Sequence, residues 1–506
     1  MQTMIQPAAS PSRDLSSTGV SGLDDILGGG VPANHLYLVE GDPGTGKTTL
    51  GLQFLLEGVR AGETGLYVTL SESKRELEEV ARSHNWTLQG IDTFEMIATE
   101  EMLSPAAQYT VFHPSEVELA DTIASILAQV ELVQPRRVVF DSLSEMQMLA
   151  REPLRYRRQI LGMKRFFAGR ECTVLLLDDH TTGKSDFQLQ SIVHGVIILQ
   201  SLERPYGVKR RRLEVRKLRG VSYREGFHDF TIETGGLAVY PRLVAAEHTR
   251  GFHHTAVSSG LDELDKLLGG GIDRGTSTLL MGQAGSGKST VAANFVFSAA
   301  QRGENAVMFC FDESIETLLY RTKSLGMDMQ RYIDSGKIAL EQVDPAELSP
   351  GEFVGRVRRY VDEGKARIVV IDSMNGFMNA MPDERGLTLQ LHEMVSYLGQ
   401  QGVVTLLTLA QHGFIGNSVN SPVDVSYLAD AVVLFRYFEY EGRIKQAISV
   451  VKKRSGAHER TIRELKFSEQ GLEVGPALKE FQGVLTGVPR FTGTKIDMEL
   501  GNEAGD

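Results

Sequence analysis

Gly41-Asp-Pro-Gly-Thr-Gly-Lys47-Thr48 and, 241 residues further on, Gly282-Gln-Ala-Gly-Ser-Gly-Lys288-Ser289 present residue types in an order that suits a phosphate chain. Both fit the pattern G-x-x-x-x-G-K-[ST]. Gly44, Thr45 and Gly46, with Gly285, Ser286 and Gly287 in the second copy, let backbone N–H groups turn inward around phosphate oxygens. Lys47 or Lys288 then reaches the terminal phosphates, and the hydroxyl of Thr48 or Ser289 is placed to ligate Mg2+. Thr49 and Thr290 complete the expected nucleotide-binding set. One such match arises now and then as an ordinary Gly-rich turn; two in register within one chain exclude that reading.

Further acids recur with these cradles. Val138-Val-Phe-Asp141 and Val369-Val-Ile-Asp372 are apolar strands ending in an acid, which can hold the metal or its water ligands. The alternative is an N-cap for the helix that comes next. Glu72 and Glu313 each lie 25 residues beyond their cradle lysine and are candidate bases for an attacking water or hydroxyl. The residue before each is Ser71 in the first copy and Asp312 in the second. Ser71 cannot act as a carboxylate base, whereas Asp312 can, on a shorter stem. SESKRELEE also reads as a helix-capping cluster. Lys217 and Arg219, and Lys452 and Arg454, are pairs two apart on strand-like segments, so each pair is expected on one face. They suit a phosphate presented by a neighbouring subunit, or equally a charged edge strand that resists aggregation.

The elements that must position these groups are duplicated as well. TGVSGLDDILGGGVP from Thr18 matches SGLDELDKLLGGGID from Ser259 at the same offset of 241, which falls to 231 by FDS and IDS, so the first copy carries ten extra residues in between. Strand–cradle–helix–strand repeats as HLYLVE, the helix through Ala61 and GLYVTL, then as STLLM, a helix ending before Gly303 and AVMFCF. Gly62 suits the first helix's C-terminus. Alternating strands and helices imply an α/β fold: two tandem nucleotide-binding domains whose mostly parallel sheets are covered by helices on both faces. The expected organisation is a flexible N-terminus over 1–13, domains over 14–247 and 248–484, and a mobile Gly-rich tail over 485–506. The junction near 236–257 is short and poor in flexible residues, which suggests closely stacked domains.

Composition narrows the class. The chain of 506 residues is 42% hydrophobic with net charge −12, and no apolar run approaches the ~18 residues of a membrane span. There is no signal-peptide core, and Cys172 and Cys310 end or follow apolar runs as buried free thiols do, so a cytoplasmic protein is expected. The acidic balance disfavours nucleic acid, although KRRR (209–212) is a basic cluster.

Taken together, the paired openings with GGG, both cradles, VARSHNW, FDS and IDS, RKLRG, and AISVVKKR…AHERTIREL resemble the KaiC family of circadian clock proteins, within the wider RecA-like group, from about Ser16 to about Pro489. The resemblance implies ATP and Mg2+ as cofactors and a two-tiered, ATP-dependent homohexamer with nucleotide between neighbours. It implies a slow ATPase in the first domain and a serine/threonine autokinase in the second. It places Lys217, Arg219, Lys452 and Arg454 at the neighbour's nucleotide. The family's phosphorylated pair falls at Ser426 and Tyr427, with tyrosine where the family has threonine. A tyrosyl oxygen projects about 6.5 Å from Cα against about 2.4 Å for a threonyl oxygen, so Ser426 is the expected acceptor. The family has two adjacent glutamates where this chain has Ser71-Glu72 and Asp312-Glu313. Implied partners are further copies of the chain and a KaiB-like protein or a histidine kinase with its response regulator. The tail after Pro489 is shorter than the family's, which counts against capture of the clock's activator protein. Two other readings compete: a nucleotide-gated ring with little catalysis, and a RecA-like DNA-dependent ATPase.

Overall fold

A computed structural model describes residues 14–96, 114–150, 152–179, 187–203, 207–379, 384–411, 427–468, 471–485 and 490–492. Two compact units divide between Arg242 and Leu243. Leu243 and Ala245 already belong to the second unit, buried with Leu398 and Tyr397 in its apolar core.

In the first unit nine strands form one sheet, in the order 236–240, 227–233, 210–218, 195–202, 36–41, 173–179, 137–141, 65–69, 91–95. The strands from 195–202 to 91–95 run parallel, as the βα alternation requires, and the remaining three add antiparallel at one side. The cradle strand Leu36–Gly41 is buried along its whole length between two parallel neighbours. One sheet face is covered by the helix Lys47–Arg60, through Leu50, Leu52 and Leu55. The other is covered by 114–133, 143–150 and 153–168, through Ile126, Met146 and Ile160. Gly62, at φ 76°, ends the cradle helix as its left-handed C-terminal residue.

The second unit repeats the plan. Its sheet runs 338–342, 305–310, 366–372, 404–410, 277–282, 431–440, 443–453, 463–468, 471–477, again nine strands with the cradle strand inside. The helix Pro350–Asp362 corresponds to the longer Pro114–Val133, where part of the first copy's insertion is visible. Cys172 and Cys310 are free and buried, and burial pushes each thiol up to about 12. No helix among the described residues is long and apolar enough to cross a membrane.

The basic segments depart from the geometry expected of them. Neither is an edge strand: 210–218 lies between 195–202 and 227–233, and 443–453 lies between 431–440 and 463–468. The lysine and arginine of each pair do reach the same side: Lys217 and Arg219 both donate to carbonyls within 190–193, and Lys452 and Arg454 to those of Ala429 and Tyr427. The register shifts between Val196/Ile197, leaving Arg216 as a bulge, and between Val432/Val433, leaving Val451 as one. Arg219 and Arg454 stand just past the strands' last residues, Leu218 and Lys453. Each bulge precedes its pair, so it re-aims the lysine and arginine together relative to the rest of the strand and leaves their two-residue spacing intact.

Candidate nucleotide sites

Each cradle is a turn between a buried strand and a buried helix. Gly46 and Gly287 are the residues preceding the two helices, at φ 98° and 102°. A Cβ on Gly287 would lie 2.4 Å from Phe467 Cζ, and one on Gly46 would lie 2.9 Å from Ile232 Cδ1. Glycine is needed for both conformation and space. Lys47 Nζ donates to the carbonyl of Gly41 at 2.7 Å and pairs with Asp179 Oδ1 at 2.7 Å. Lys288 Nζ donates to Gln283 O at 2.7 Å, and burial pulls it down to about 8. At the position matching Asp179 the second unit has Ala410: each sits opposite the last glycine of its cradle strand.

The strand-end acids meet the cradle hydroxyls rather than capping helices. Thr48 Oγ1 donates to Asp141 Oδ2 at 2.8 Å, and Ser289 Oγ donates to Asp372 Oδ1 at 3.0 Å. A hydroxyl beside a carboxylate is a hard oxygen-donor set of the kind Mg2+ takes, directly or through its waters. Thr48 with Asp141, and Ser289 with Asp372, therefore fit the ion. When bound, it would neutralise charge on the terminal phosphates. Each acid has a second donor that differs between copies: Tyr67 Oη at 2.6 Å on Asp141, and Thr408 on Asp372. Burial raises Asp372 above the ordinary carboxylate range, and the Thr408 and Ser289 hydrogen bonds partly offset it.

The candidate bases stand in unlike surroundings. Thr69 pins the backbone of Glu72, accepting from its N–H at 3.0 Å and donating to its carbonyl at 2.6 Å. Among the described residues Glu72 Oε2 is buried with no hydrogen-bond partner. Burial first, then the charges of Asp141 and Glu76, raises its carboxyl above the ordinary glutamate range. The capping role of SESKRELEE is real but falls on Ser73 and Glu76, which form a capping box. In the second unit Glu313 is forked onto Arg321, at 3.1 and 2.7 Å, while Asp312 accepts from Ser373 Oγ.

All four basic groups are engaged within their own unit. Lys217 Nζ donates to the carbonyls of Gln190 and Val193 (2.9 Å for the second), and Arg219 donates to Ser191 O at 2.8 Å. Lys452 Nζ donates to Ala429 O at 2.8 Å. Arg454 donates to Tyr427 O at 2.9 Å and pairs with Asp430 at 3.4 Å. Asp430 in turn accepts from the N–H of Ser277 at 3.0 Å. Tyr427 is half exposed, and Ser426 lies outside the described residues.

Sequence reasoning missed Tyr67, Asp179, Arg321 and Thr408. Asp179 had a usable signal, since TVLLLDD is another apolar strand ending in acids. The other three act across strands or helices whose register no local pattern gives.

A duplicated mostly parallel sheet with a phosphate cradle at the end of a central strand, and an acid meeting the cradle hydroxyl, defines a tandem P-loop ATPase. Comparison with known proteins then sharpens the class. The family model described as "ATPase: KaiC" matches residues 16–244 and again 257–479. The chain belongs to that family. It is similar to the circadian clock oscillator protein KaiC of Picosynechococcus, 27% identical over 96% of this chain and 95% of the relative. The KaiC of Synechococcus elongatus is 27% identical over 93% of this chain and 91% of its own. The circadian clock protein KaiC3 of Synechocystis is 26% identical, covering 94% of each.

Proposed function

We propose that this protein hydrolyses ATP at its first site and transfers phosphate from ATP at its second site to Ser426 of a neighbouring copy, within an ATP-dependent homohexamer. Lys47 and Lys288 hold the terminal phosphates, and Thr48 with Asp141 and Ser289 with Asp372 hold Mg2+. Glu72 takes the proton of the attacking water at the first site. Asp312 and Glu313 are the second site's carboxylates.

One observation carries the in-trans part of this reading. The strand after the acceptor segment runs parallel to the cradle strand, with Ala431 beside Thr278 and Phe435 beside Gly282. The described residues that follow Ser426 in sequence therefore enter the sheet at the start of the cradle strand, whereas the cradle lies at its end. Five residues of strand separate those ends, about 16 Å at ~3.3 Å per residue. Lys452, opposite Val432 and level with Leu279, and Lys217, opposite Val196 and level with Leu38, lie three residues short of the cradle end of their sheets. This separation supports a reading in which the acceptor and the basic pairs serve another subunit's phosphates rather than their own. Head-to-tail contacts of this kind close into rings where the rotation between neighbours permits. The carbonyl contacts of Lys217, Arg219, Lys452 and Arg454 would then be exchanged for, or shared with, a neighbour's nucleotide.

Mixing two disabled variants tests this. Lys288→Ala removes second-site ATP, and Ser426→Ala removes the acceptor. Neither should label itself with γ-labelled ATP, whereas the mixture should label the Lys288→Ala chain at Ser426. Labelling of the wild type together with a silent mixture would refute transfer between copies. Partners beyond self, such as a KaiB-like protein or a response regulator, and a cytoplasmic signalling role follow from the family reading alone.

A further inference from the structure

The two copies of this fold treat the same glutamate differently, and a single arginine makes the difference. Glu72 and Glu313 occupy equivalent positions, 25 residues after their cradle lysines, each just before a helix N-capped by serine. The seventh residue of that helix is Val80 in the first unit and Arg321 in the second. Val80 offers no hydrogen bond, and among the described residues Glu72 Oε2 is left without a partner. Arg321 donates from Nε to Glu313 Oε1 at 3.1 Å and from Nη2 to Oε2 at 2.7 Å. Its third nitrogen, Nη1, donates to Thr290 Oγ1, one residue past the cradle's Ser289. The guanidinium thus bridges the base and the cradle helix. Thr49, the counterpart of Thr290, has no such bridge because its helix supplies valine.

We infer that Arg321 is a built-in brake on hydrolysis at the second site: it holds Glu313 in a two-point fork and keeps that carboxylate from serving a water. Hydrolysis needs the water oxygen to bond the γ-phosphorus while the bond from phosphorus to the β,γ-bridging oxygen breaks. The carboxylate takes one water proton, and ADP and inorganic phosphate leave. A carboxylate locked by two parallel N–H bonds has its orientation fixed by the arginine rather than by the water. General-base placement tolerates little displacement. Asp312, whose one engaged oxygen accepts from Ser373 Oγ, is left for the acceptor hydroxyl. A site with this division keeps its ATP until a hydroxyl arrives. Arg321 is a positioning residue acting through Glu313. The inference rests on the proposed division between a hydrolytic first site and a transferring second site, but its test does not depend on that transfer.

The test measures ATP turnover in full-length protein carrying Glu72→Gln, which silences first-site chemistry while leaving its nucleotide cradle intact. Adding Arg321→Leu should raise kcat about tenfold, a fraction of the ~10²–10⁴ that a general base supplies, with KM within about twofold. Adding Glu313→Gln to that variant should abolish the rise. Arg321→Lys, which keeps the charge but not the fork, should give a smaller rise. An unchanged kcat in Arg321→Leu with ATP still bound would overturn the inference, as would a rise that survives Glu313→Gln. Should Arg321→Leu lose ATP binding, Arg321→Lys decides alone: a rise supports the brake and its absence overturns it. Absence of label at Ser426 alongside a released kcat would sink the autokinase reading and leave the brake standing.

Discussion

Tyr67→Phe removes one oxygen atom from the first site and nothing else. The Tyr67 side chain is fully buried, and its hydroxyl donates to Asp141 Oδ2 at 2.6 Å. Burial and the neighbouring Asp141 hold the phenol well above its usual range, so it stays a donor at every working pH. Phenylalanine keeps the ring's packing among Leu55, Leu77 and Val139. The loss is therefore one hydrogen bond to a buried carboxylate, worth about 1.5–3 kcal/mol. For a domain of this size each kcal/mol moves Tm by about 2–4 °C, so the first domain should melt about 3–12 °C lower. The protein supplies its own reporter: its single tryptophan, Trp86, packs against the first unit's core, so tryptophan fluorescence follows that domain alone. Urea unfolding without nucleotide should show a lower midpoint at unchanged m-value. Loss of the orienting donor should also raise the Mg2+ needed for half-maximal turnover about tenfold or more, measured with the second site silenced by Lys288→Ala. A midpoint within about 0.5 kcal/mol of wild type, with unchanged Mg2+ demand, would refute the idea that Tyr67 positions the metal-facing acid.

Other outcomes rest on the same geometry. Lys288 sits near 8 before phosphate arrives, and a bound anion favours its charged form. ATP binding at the second site should accordingly take up a proton at high pH and weaken as pH rises through about 8, by up to about tenfold per unit; a flat profile in Lys47→Ala protein would contradict this. Gly287→Ala places a Cβ against Phe467 and forces a left-handed residue at a cost of about 1–2 kcal/mol. It should abolish second-site ATP binding, whereas Gly303→Ala, equally left-handed but facing open space, should leave binding intact by calorimetry. Asp430→Ala deprives the Ser277 N–H of its acceptor and Arg454 of its carboxylate partner. It should cost about 1–3 kcal/mol and speed amide exchange over 427–431; unchanged exchange would show that Asp430 does not hold the acceptor segment.

How much of this could be read from the sequence depends on whether the signal is local. The cradles, their glycines and the strand-end acids were legible because each is a contiguous pattern with its chemistry in the residue order. The pairing of Thr48 with Asp141 could be anticipated because strand and helix are fixed by the same repeat. The basic pairs were legible as residues two apart on one side of a strand, but their place inside the sheet and the one-residue bulge before each pair, at Arg216 and Val451, were not, because composition announces neither. Tyr67, Thr408 and Arg321 were invisible for another reason: Tyr67 stands opposite Val139 only through strand register, and Arg321 reaches Glu313 only because the helix turns it back. Comparing the copies residue by residue would have exposed Val80 against Arg321, a difference the overall likeness of the repeats conceals.

The central claim is that ATP bound at the second site ends as phosphate on the chain itself. The direct measurement is intact mass and phosphopeptide mapping of the full-length protein after incubation with Mg-ATP. The account expects one added phosphoryl group per chain, mapped to Ser426 and lost in Ser426→Ala and in Lys288→Ala. ATP consumed with no mass gained, or a phosphoryl group that persists in Ser426→Ala, would contradict it.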